Sequence, residues 1–227
     1  MFFSRRATQA EYFDLPDRSH KELVEGYDSL AKVNRMLVFA EPFQRYLPRY
    51  FGHDQCANLS FLDVGAGDGL LGRVLSQWAR EKHGWNWEFT NLDICAAALK
   101  LNPDGNNVVG SALDIPFPDQ SFDIVVASQV THHFSDDDVV RHLSEAWRVA
   151  RRGIYFSDLH RGPLLYLLIR LLFIVRRFPR HFEADGILSV KRGFRLGELR
   201  EFARRAGIPN ANIQLYFGTR VLIYARK

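Results

Sequence analysis

Phe61–Leu71 reads FLDVGAGDGLL. The short apolar run Phe61–Val64 is interrupted only by Asp63, and glycines then hold positions 65, 67 and 69 before a helix-like stretch, Leu70–Glu81. A buried strand that runs into a glycine turn and opens a helix is the nucleotide-binding crossing of an α/β protein. Glycine suits such a turn because a side chain would hold the backbone away from a ligand, and because some turn positions need φ > 0.

Two motifs compete for this stretch. Gly67-Asp68-Gly69-Leu70-Leu71-Gly72 satisfies G-x-G-x-x-G, with Asp93 at about the distance of a ribose carboxylate. In that dinucleotide fingerprint the first glycine directly follows the strand, and here the residue after Val64 is Gly65. The working unit is therefore Asp63-x-Gly65-x-Gly67-x-Gly69. It resembles motif I of the class I S-adenosylmethionine (SAM)-dependent methyltransferases, whose strand carries an acidic residue just before the turn. A carboxylate there suits a ligand that presents an ammonium and a sulfonium, and repels a pyrophosphate. A nicotinamide oxidoreductase is the rival reading.

The chain has 227 residues, enough for one domain with extensions and a sizeable core. Hydrophobic residues at 47% and charged residues at 25% suit a soluble globular protein. The net charge is only +4, and the arginines between 141 and 205 are interleaved with apolar runs instead of forming a polar stripe. No nucleic-acid partner is expected. Cys56 and Cys95 give neither a disulfide framework nor metal-ligand spacing. The first twenty residues lack the apolar core of a signal peptide, and a cytoplasmic protein is expected.

Upstream of the turn, Lys21–Phe39 has apolar residues at helical spacing. It reads either as an amphipathic helix packed on the domain or as a cap over a pocket. Tyr27 and Asn34 are seven apart, two turns along one face, so both suit the lining of such a pocket. Downstream, Trp85–Leu92 reads as a strand with Asp93 at its carboxyl end, placed for ribose hydroxyls, as the cap of a helix begun by Ile94, or for both; Ala96–Leu101 reads as a short helix. Asn107–Gly110 and Ser121–Ser128 are further strands, the latter with a β-branched centre suited to burial. The run ALDIPFPDQSFDIVVAS, residues 112–128, resembles motifs III and IV of the same methyltransferases.

Val130–Asp138, VTHHFSDDD, gathers two histidines and three carboxylates. Helix capping accounts for most of it: Ser135 as N-cap, Asp138 at N3, and Asp136 and Asp137 at the positive end of the helix dipole. No metal is expected. Arg151–Leu159 reads as a fifth strand with Asp158 near its end. Leu164–Val175 follows, apolar except for Arg170 and closed by Arg176 and Arg177. It is too short to span a bilayer and must be buried or meet lipid or an apolar ligand. Phe178–Val190 reads as irregular, Phe194–Ala206 as an amphipathic helix, and Ile213–Phe217 with Thr219–Ala225 as a closing strand pair.

The chain thus resembles the class I SAM-dependent methyltransferases from about residue 59 to 158. The resemblance implies an α/β, doubly wound, Rossmann-like sheet of seven strands with an antiparallel last strand. It implies a single domain: an N-terminal helical cap (1–57), a SAM-binding core (58–160), a lid or insert (161–192), and a closing helix and strand pair (193–227). The cofactor implied is SAM, with S-adenosyl-L-homocysteine as product, held by Asp63, Gly65, Ala66, Gly67, Gly69, Asp93, Ile94, Leu113, Asp114 and Ser128. Leu113 is expected beside the adenine and Asp114 at its amino group. Within the superfamily the chain resembles small bacterial enzymes with LHHF-like and SDLHR-like segments, which are often linked to polyketide or quinone-like products. Thr131 stands where leucine is commoner.

A phenol or enol must lose its proton to accept a methyl group, and histidine is a suitable acceptor. His133 is expected first and His132 second. Tyr27, Asn34, Asp158, Leu168 and Leu172 are the expected substrate contacts, for a small, lipophilic acceptor. O-methylation is favoured, with C-methylation of a quinol-like ring or a non-catalytic SAM-binding subunit as alternatives. The apolar insert reads as a lid, as an ordinary core or dimer-interface helix, or as a membrane-surface contact through its arginines. A monomer and a homodimer both remain open.

Overall fold

Asn58–Val64 forms strand β1, buried from Phe61 to Val64 because it has a parallel neighbour on each side. These neighbours are β2 (Asn86–Asp93) and β4 (Phe122–Ser128). The structure, a computed structural model, describes residues 3–12, 19–176 and 178–227; Arg177 lies outside the described residues. Beyond β2 lies β3 (Asn106–Val109), and beyond β4 lie β5 (Ala150–Leu159), β7 (Arg220–Arg226) and β6 (Asn212–Tyr216). Among the described residues the sheet has seven strands in the order 3-2-1-4-5-7-6. β7 runs antiparallel to both its neighbours, and the other pairs are parallel. The order reverses between β1 and β4, which opens a crevice at their carboxyl ends.

Alternate strand residues face opposite helical layers. Leu62 and Val125 join Leu143 and Ala146 of α5 (Asp136–Val149) and Phe202 of α8 (Leu196–Arg205). Phe61 and Ile124 join Phe43 and Leu47 of α2 (Glu41–Phe51) and Leu75 of α3 (Leu70–His83). A third cluster lies apart from both. It unites Val33 of α1 (His20–Met36) with Ile169 and Phe173 of α6 (Pro163–Arg176) and Phe182 and Val190 of α7 (Arg180–Arg192). The stretch expected to be a cap therefore divides, with α1 joining this satellite cluster and α2 belonging to the sheet's own layer.

Two helices depart from the sequence reading. Pro42 and Pro48 hide α2. Pro42 sits in the first turn, where its missing N–H would be unpaired anyway, and burial of Phe43, Leu47 and Phe51 outweighs the bond lost at Pro48. The segment read as irregular is helix α7, whose apolar period is broken by Asp185 and Gly186. A Cβ at Gly186 would stand 2.6 Å from Phe173 Cζ, so the glycine that obscures the helix is what lets α7 close on α6. The other expected elements are present with ends shifted by up to three residues, including the four-residue α4 (Ala96–Leu99).

Candidate active site

A cavity of about 980 Å³ opens at the carboxyl ends of β1, β2 and β4. Gly65, Ala66, Gly67, Asp93, Ile94 and Leu113 are in its wall on one side, with Asp63 and Ser128 at the strand ends. A Cβ at Gly65 would fall 2.3 Å from Val130 Cγ2, and one at Gly67 would fall 2.7 Å from the Tyr27 ring. Both glycines have positive φ, so the turn is fixed by shape and by conformation. Asp93 accepts the Gly67 N–H at 2.7 Å on Oδ2 and the Cys95 N–H at 2.8 Å on Oδ1. It therefore ties the glycine turn to the next helix start, and its remaining lone pairs can accept ligand hydroxyls. Burial raises its carboxyl pKa, against the pull of those two N–H groups.

Asp63 is only 2% exposed, and its Oδ2 accepts no hydrogen bond among the described residues. Burial, followed by the negative neighbours Asp93 and Asp68, pushes its carboxyl well above the usual range. A buried carboxylate without a partner at a cavity wall is completed by a cation. Ile94, 77% exposed beside Asp93, offers an apolar face to a flat ring. The cavity is at the upper end of ligand-site volumes, with room for a cofactor and a second molecule. SAM fits this set: an ammonium for Asp63, ribose hydroxyls for Asp93 and a purine for Ile94. Two expected contacts stand elsewhere. Gly69 caps α3 outside the lining, and Asp114 is exposed and also outside it.

On the other side of the cavity, His132 is 2% exposed. Its Nδ1 lies 2.7 Å from Asp158 Oδ1, and its backbone N–H donates to Asp158 Oδ2 at 3.1 Å. Burial alone would raise the Asp158 carboxyl; the charge and hydrogen bond of His132, the Leu159 N–H and the charge of His133 bring it below its usual value. With Nδ1–H given to Asp158, the neutral ring carries its lone pair on Nε2. That nitrogen accepts no hydrogen bond among the described residues and stands 3.7 Å from Glu11 Oε1. His133 also lines the cavity, its ring centroid 4.3 Å from that of His132.

The turn carrying both histidines is clamped from two distant segments. Arg192 donates to the carbonyls of His132 (3.0 Å) and His133 (2.5 Å), and Arg6 to those of His132 (3.2 Å) and Phe134 (3.0 Å). The three aspartates that follow in sequence stay with the helix start: Asp136 pairs with Arg6, Asp137 with Arg205, and the Asp138 N–H donates to Ser135. The carboxylates that meet His132 come from Asp158 and Glu11 instead. Ligand atoms of Glu11, His132 and His133 lie within 4.8 Å of one another, a grouping near enough to close on a divalent ion.

Tyr27 and Asn34 are both in the cavity wall, and Asn34 Oδ1 accepts from Gln129 Nε2 at 2.8 Å, which fastens α1 over the opening. Leu168 and Leu172 are not in the wall: Leu168 is 40% exposed and Leu172 packs in the satellite cluster. The inward face belongs to Ile169 and Phe173, which with Leu165 form a buried i, i+4, i+8 stripe. Asp158 stands behind His132 instead of lining the cavity. Sequence reasoning missed Glu11, Gln129 and Arg192. No motif marks them; only the fold brings them to the site.

The strand order with β7 reversed, the acidic end of β1 and the glycine turn are features of the class I SAM-dependent methyltransferase fold, and comparison with known proteins agrees. Residues 62–157 match the family model of the methyltransferase domain, and the fold is that of the class I SAM-dependent methyltransferases. It is 33% identical over 106 residues to the uncharacterized methyltransferase YcgJ of Bacillus subtilis, a match covering 45% of this chain and 41% of the relative. It is 32% identical over 101 residues to the fatty-acid O-methyltransferase of Mycolicibacterium smegmatis, covering 42% of this chain and 34% of the relative. The matched stretch thus spans less than half of either relative. A SAM-dependent methyltransferase from Aquifex aeolicus has a similar fold at TM-score 0.62 and 17% identity, over 92% of this chain and 99% of that one.

Proposed function

We propose that this protein transfers the methyl group of SAM to a hydroxyl of a lipophilic phenol, enol or quinol, with His132 as the base. The observation that carries the proposal is the His132–Asp158 pair, at 2.7 Å, behind the wall of the cavity that also holds the glycine turn. SAM supplies an activated methyl group. Asp63, Asp93 and the turn Gly65–Gly67 hold it, and α1 with Tyr27 and Asn34 shields the cavity from water. Asp158 fixes the tautomer that leaves His132 Nε2 able to take the acceptor's proton, and Arg6 and Arg192 hold the turn in place. His132 thereby precedes His133 as the base, the reverse of the order expected from sequence. The reason is the buried carboxylate partner, which no local pattern announces.

The acceptor side favours an apolar molecule, because Leu30, Val33, Ile169, Phe173 and Phe182 line it. The fatty-acid O-methyltransferase of Mycolicibacterium smegmatis, one of the relatives, acts on an apolar acid by its name. A non-catalytic SAM-binding subunit would have no use for a buried His–Asp pair facing a second compartment. A second reading, in which Glu11, His132 and His133 hold a divalent ion that binds the acceptor oxygen, is favoured by their 4.8 Å grouping.

The test is product mass after incubation with SAM and acceptors that share one phenolic head and carry tails of increasing length. Each methylene buried in the cavity should add up to about 0.8 kcal/mol to apparent binding until the cavity is full. Fragmentation of the product separates O- from ring C-methylation. A flat tail-length series overturns the lipophilic acceptor, and full turnover by His132→Gln overturns the base.

A further inference from the structure

Helix α6 has two apolar faces, and only one of them is used. Leu165, Ile169 and Phe173 are buried, the latter two in the cavity wall. Leu164, Leu167, Leu168, Leu171, Ile174 and Val175 are exposed, Ile174 at 69% and Val175 at 67%. At 100° per residue these six fall within an arc of about 120° on the outside of the helix. The patch extends beyond α6. A Cβ at Gly218 would lie 2.7 Å from Leu164 Cδ2, which sets the β6–β7 turn against the start of the helix. The neighbour of that glycine, Phe217, is 73% exposed and has φ 45°, a backbone state that bulky residues rarely adopt. Two chain segments therefore present large apolar side chains at one site on the surface, more than scattered exposure accounts for.

Along the segment that carries most of the patch, charge is of one sign. From His160 to Phe182 the sequence contains arginines and no aspartate or glutamate. Arg161 is buried and paired with Glu198, whereas Arg170, Arg176 and Arg180 are exposed. Arg170 adjoins the outer face and packs near the Tyr166 ring, while Arg176 and Arg180 follow at the end of α6 and the start of α7.

We propose that the outer face of α6, with Phe217, docks on an anionic lipid surface. The helix lies in the plane of that surface, with leucines toward the acyl boundary and arginines toward the headgroups. It does not cross: no described helix is long and apolar enough to do so. A second copy of the chain fits less well. Facing copies of this ridge would set arginines of the same sign against each other. A lipid surface needs no matching shape and requires this combination of leucines and arginines. Because the opposite face of the same helix walls the cavity, docking would bring the acceptor compartment next to the bilayer.

The experiment is vesicle flotation of the full chain without acceptor, using vesicles of phosphatidylcholine alone or doped with phosphatidylglycerol. Binding should be at least about tenfold tighter to the doped vesicles and should weaken with salt. The double variant L167E/L171E should lose at least about tenfold of it, and Phe217→Ser should lose part. All these side chains are solvent-exposed, and an unchanged thermal shift with S-adenosylhomocysteine shows that the variants fold. Absence of flotation, or flotation unaffected by L167E/L171E, overturns the proposal. So does a dimer in sedimentation that L167E/L171E dissolves while vesicles stay unbound. No acceptor is present in the assay, so its failure leaves the acceptor reading standing, and a flat tail-length series leaves docking standing.

Discussion

Replacing Asp63 by asparagine should stabilise the protein without ligand and weaken its hold on the cofactor, two effects of opposite sign from one atom. Asp63 is 2% exposed, with Oδ2 unbonded among the described residues. A buried acceptor left unsatisfied costs about 1–3 kcal/mol, and more when charged. Asparagine keeps the shape and removes the charge. For a chain of 227 residues, relief of about 1–3 kcal/mol raises Tm by about 2–12 °C. The pH dependence gives the sign. The folded-state pKa of Asp63 is raised, first by burial and then by Asp93 and Asp68, above an unfolded value of about 3.9. Over that window the folded state holds a proton that the unfolded state has lost, so stability falls as pH rises from about 4 to the raised pKa, and is level beyond it. Asp63→Asn removes this fall, and its advantage should widen through the same window. On the proposed site assignment, S-adenosylhomocysteine would bring an ammonium group to the carboxylate. Loss of that charge-assisted pair should cost about 1.5–3 kcal/mol, roughly 10- to 150-fold in Kd. Scanning calorimetry across pH and titration calorimetry with S-adenosylhomocysteine measure both. An asparagine variant that is less stable than the parent above neutral pH, or that binds equally well, refutes the reasoning.

Asp158→Asn should lower kcat by about 10- to 100-fold while binding of S-adenosylhomocysteine holds, because His132 loses the carboxylate that orients its Nδ1–H; a purely structural role would lower both together. His132→Gln should lower single-turnover methyl transfer by about 10²-fold or more while binding of S-adenosylhomocysteine holds, and His133→Gln should cost less. Gly67→Ala forces a Cβ to 2.7 Å from the Tyr27 ring at φ 58°, and should weaken S-adenosylhomocysteine binding by about 1–3 kcal/mol. Adding Tyr27→Ala should recover part of this loss, which calorimetry resolves. Turnover should survive dialysis against EDTA; a loss that one divalent ion restores would make Glu11, His132 and His133 a metal site.

The sheet was legible in the sequence because its signals are local. Asp63 and the glycine turn define β1 and the start of α3, and Ser121–Ser128 shows its burial directly in its β-branched centre. The helices over the site were harder to read, since their sequences serve two surfaces at once. α7 carries Asp185 toward the cavity and Gly186 against Phe173, so its period is broken by the contacts that give it a role. In α6 nearly every position is apolar. The choice of inward face then falls to residues 165, 169 and 173 through packing against Val33, Phe182 and Val190, and sequence alone placed it at 168 and 172.

The cofactor side and the acceptor side differ in the same way, and the reason is physical. A ligand of fixed shape can be held by one strand–turn–helix crossing and one more strand end, so Asp63, Gly65, Gly67 and Asp93 lie within about thirty residues and form a pattern. The proposed base needs a fixed tautomer and orientation, which are supplied by hydrogen-bond partners that have no preferred spacing. His132 obtains them from Asp158 on β5, 26 residues away, which holds its Nδ1 and backbone N–H, and from Arg192 at the end of α7, which holds its carbonyl. The three aspartates next to the histidines in sequence are the ones the fold does not use there, because a helix start already binds them at lower cost. Their capping pattern was legible in the sequence, whereas the carboxylate that does meet His132 was not marked by proximity in the chain. Exchanging Asp136 for alanine should leave single-turnover methyl transfer within about twofold, whereas exchanging Asp158 for asparagine should lower it by about 10- to 100-fold. Transfer that falls with Asp136 and holds with Asp158 would remove the base from His132.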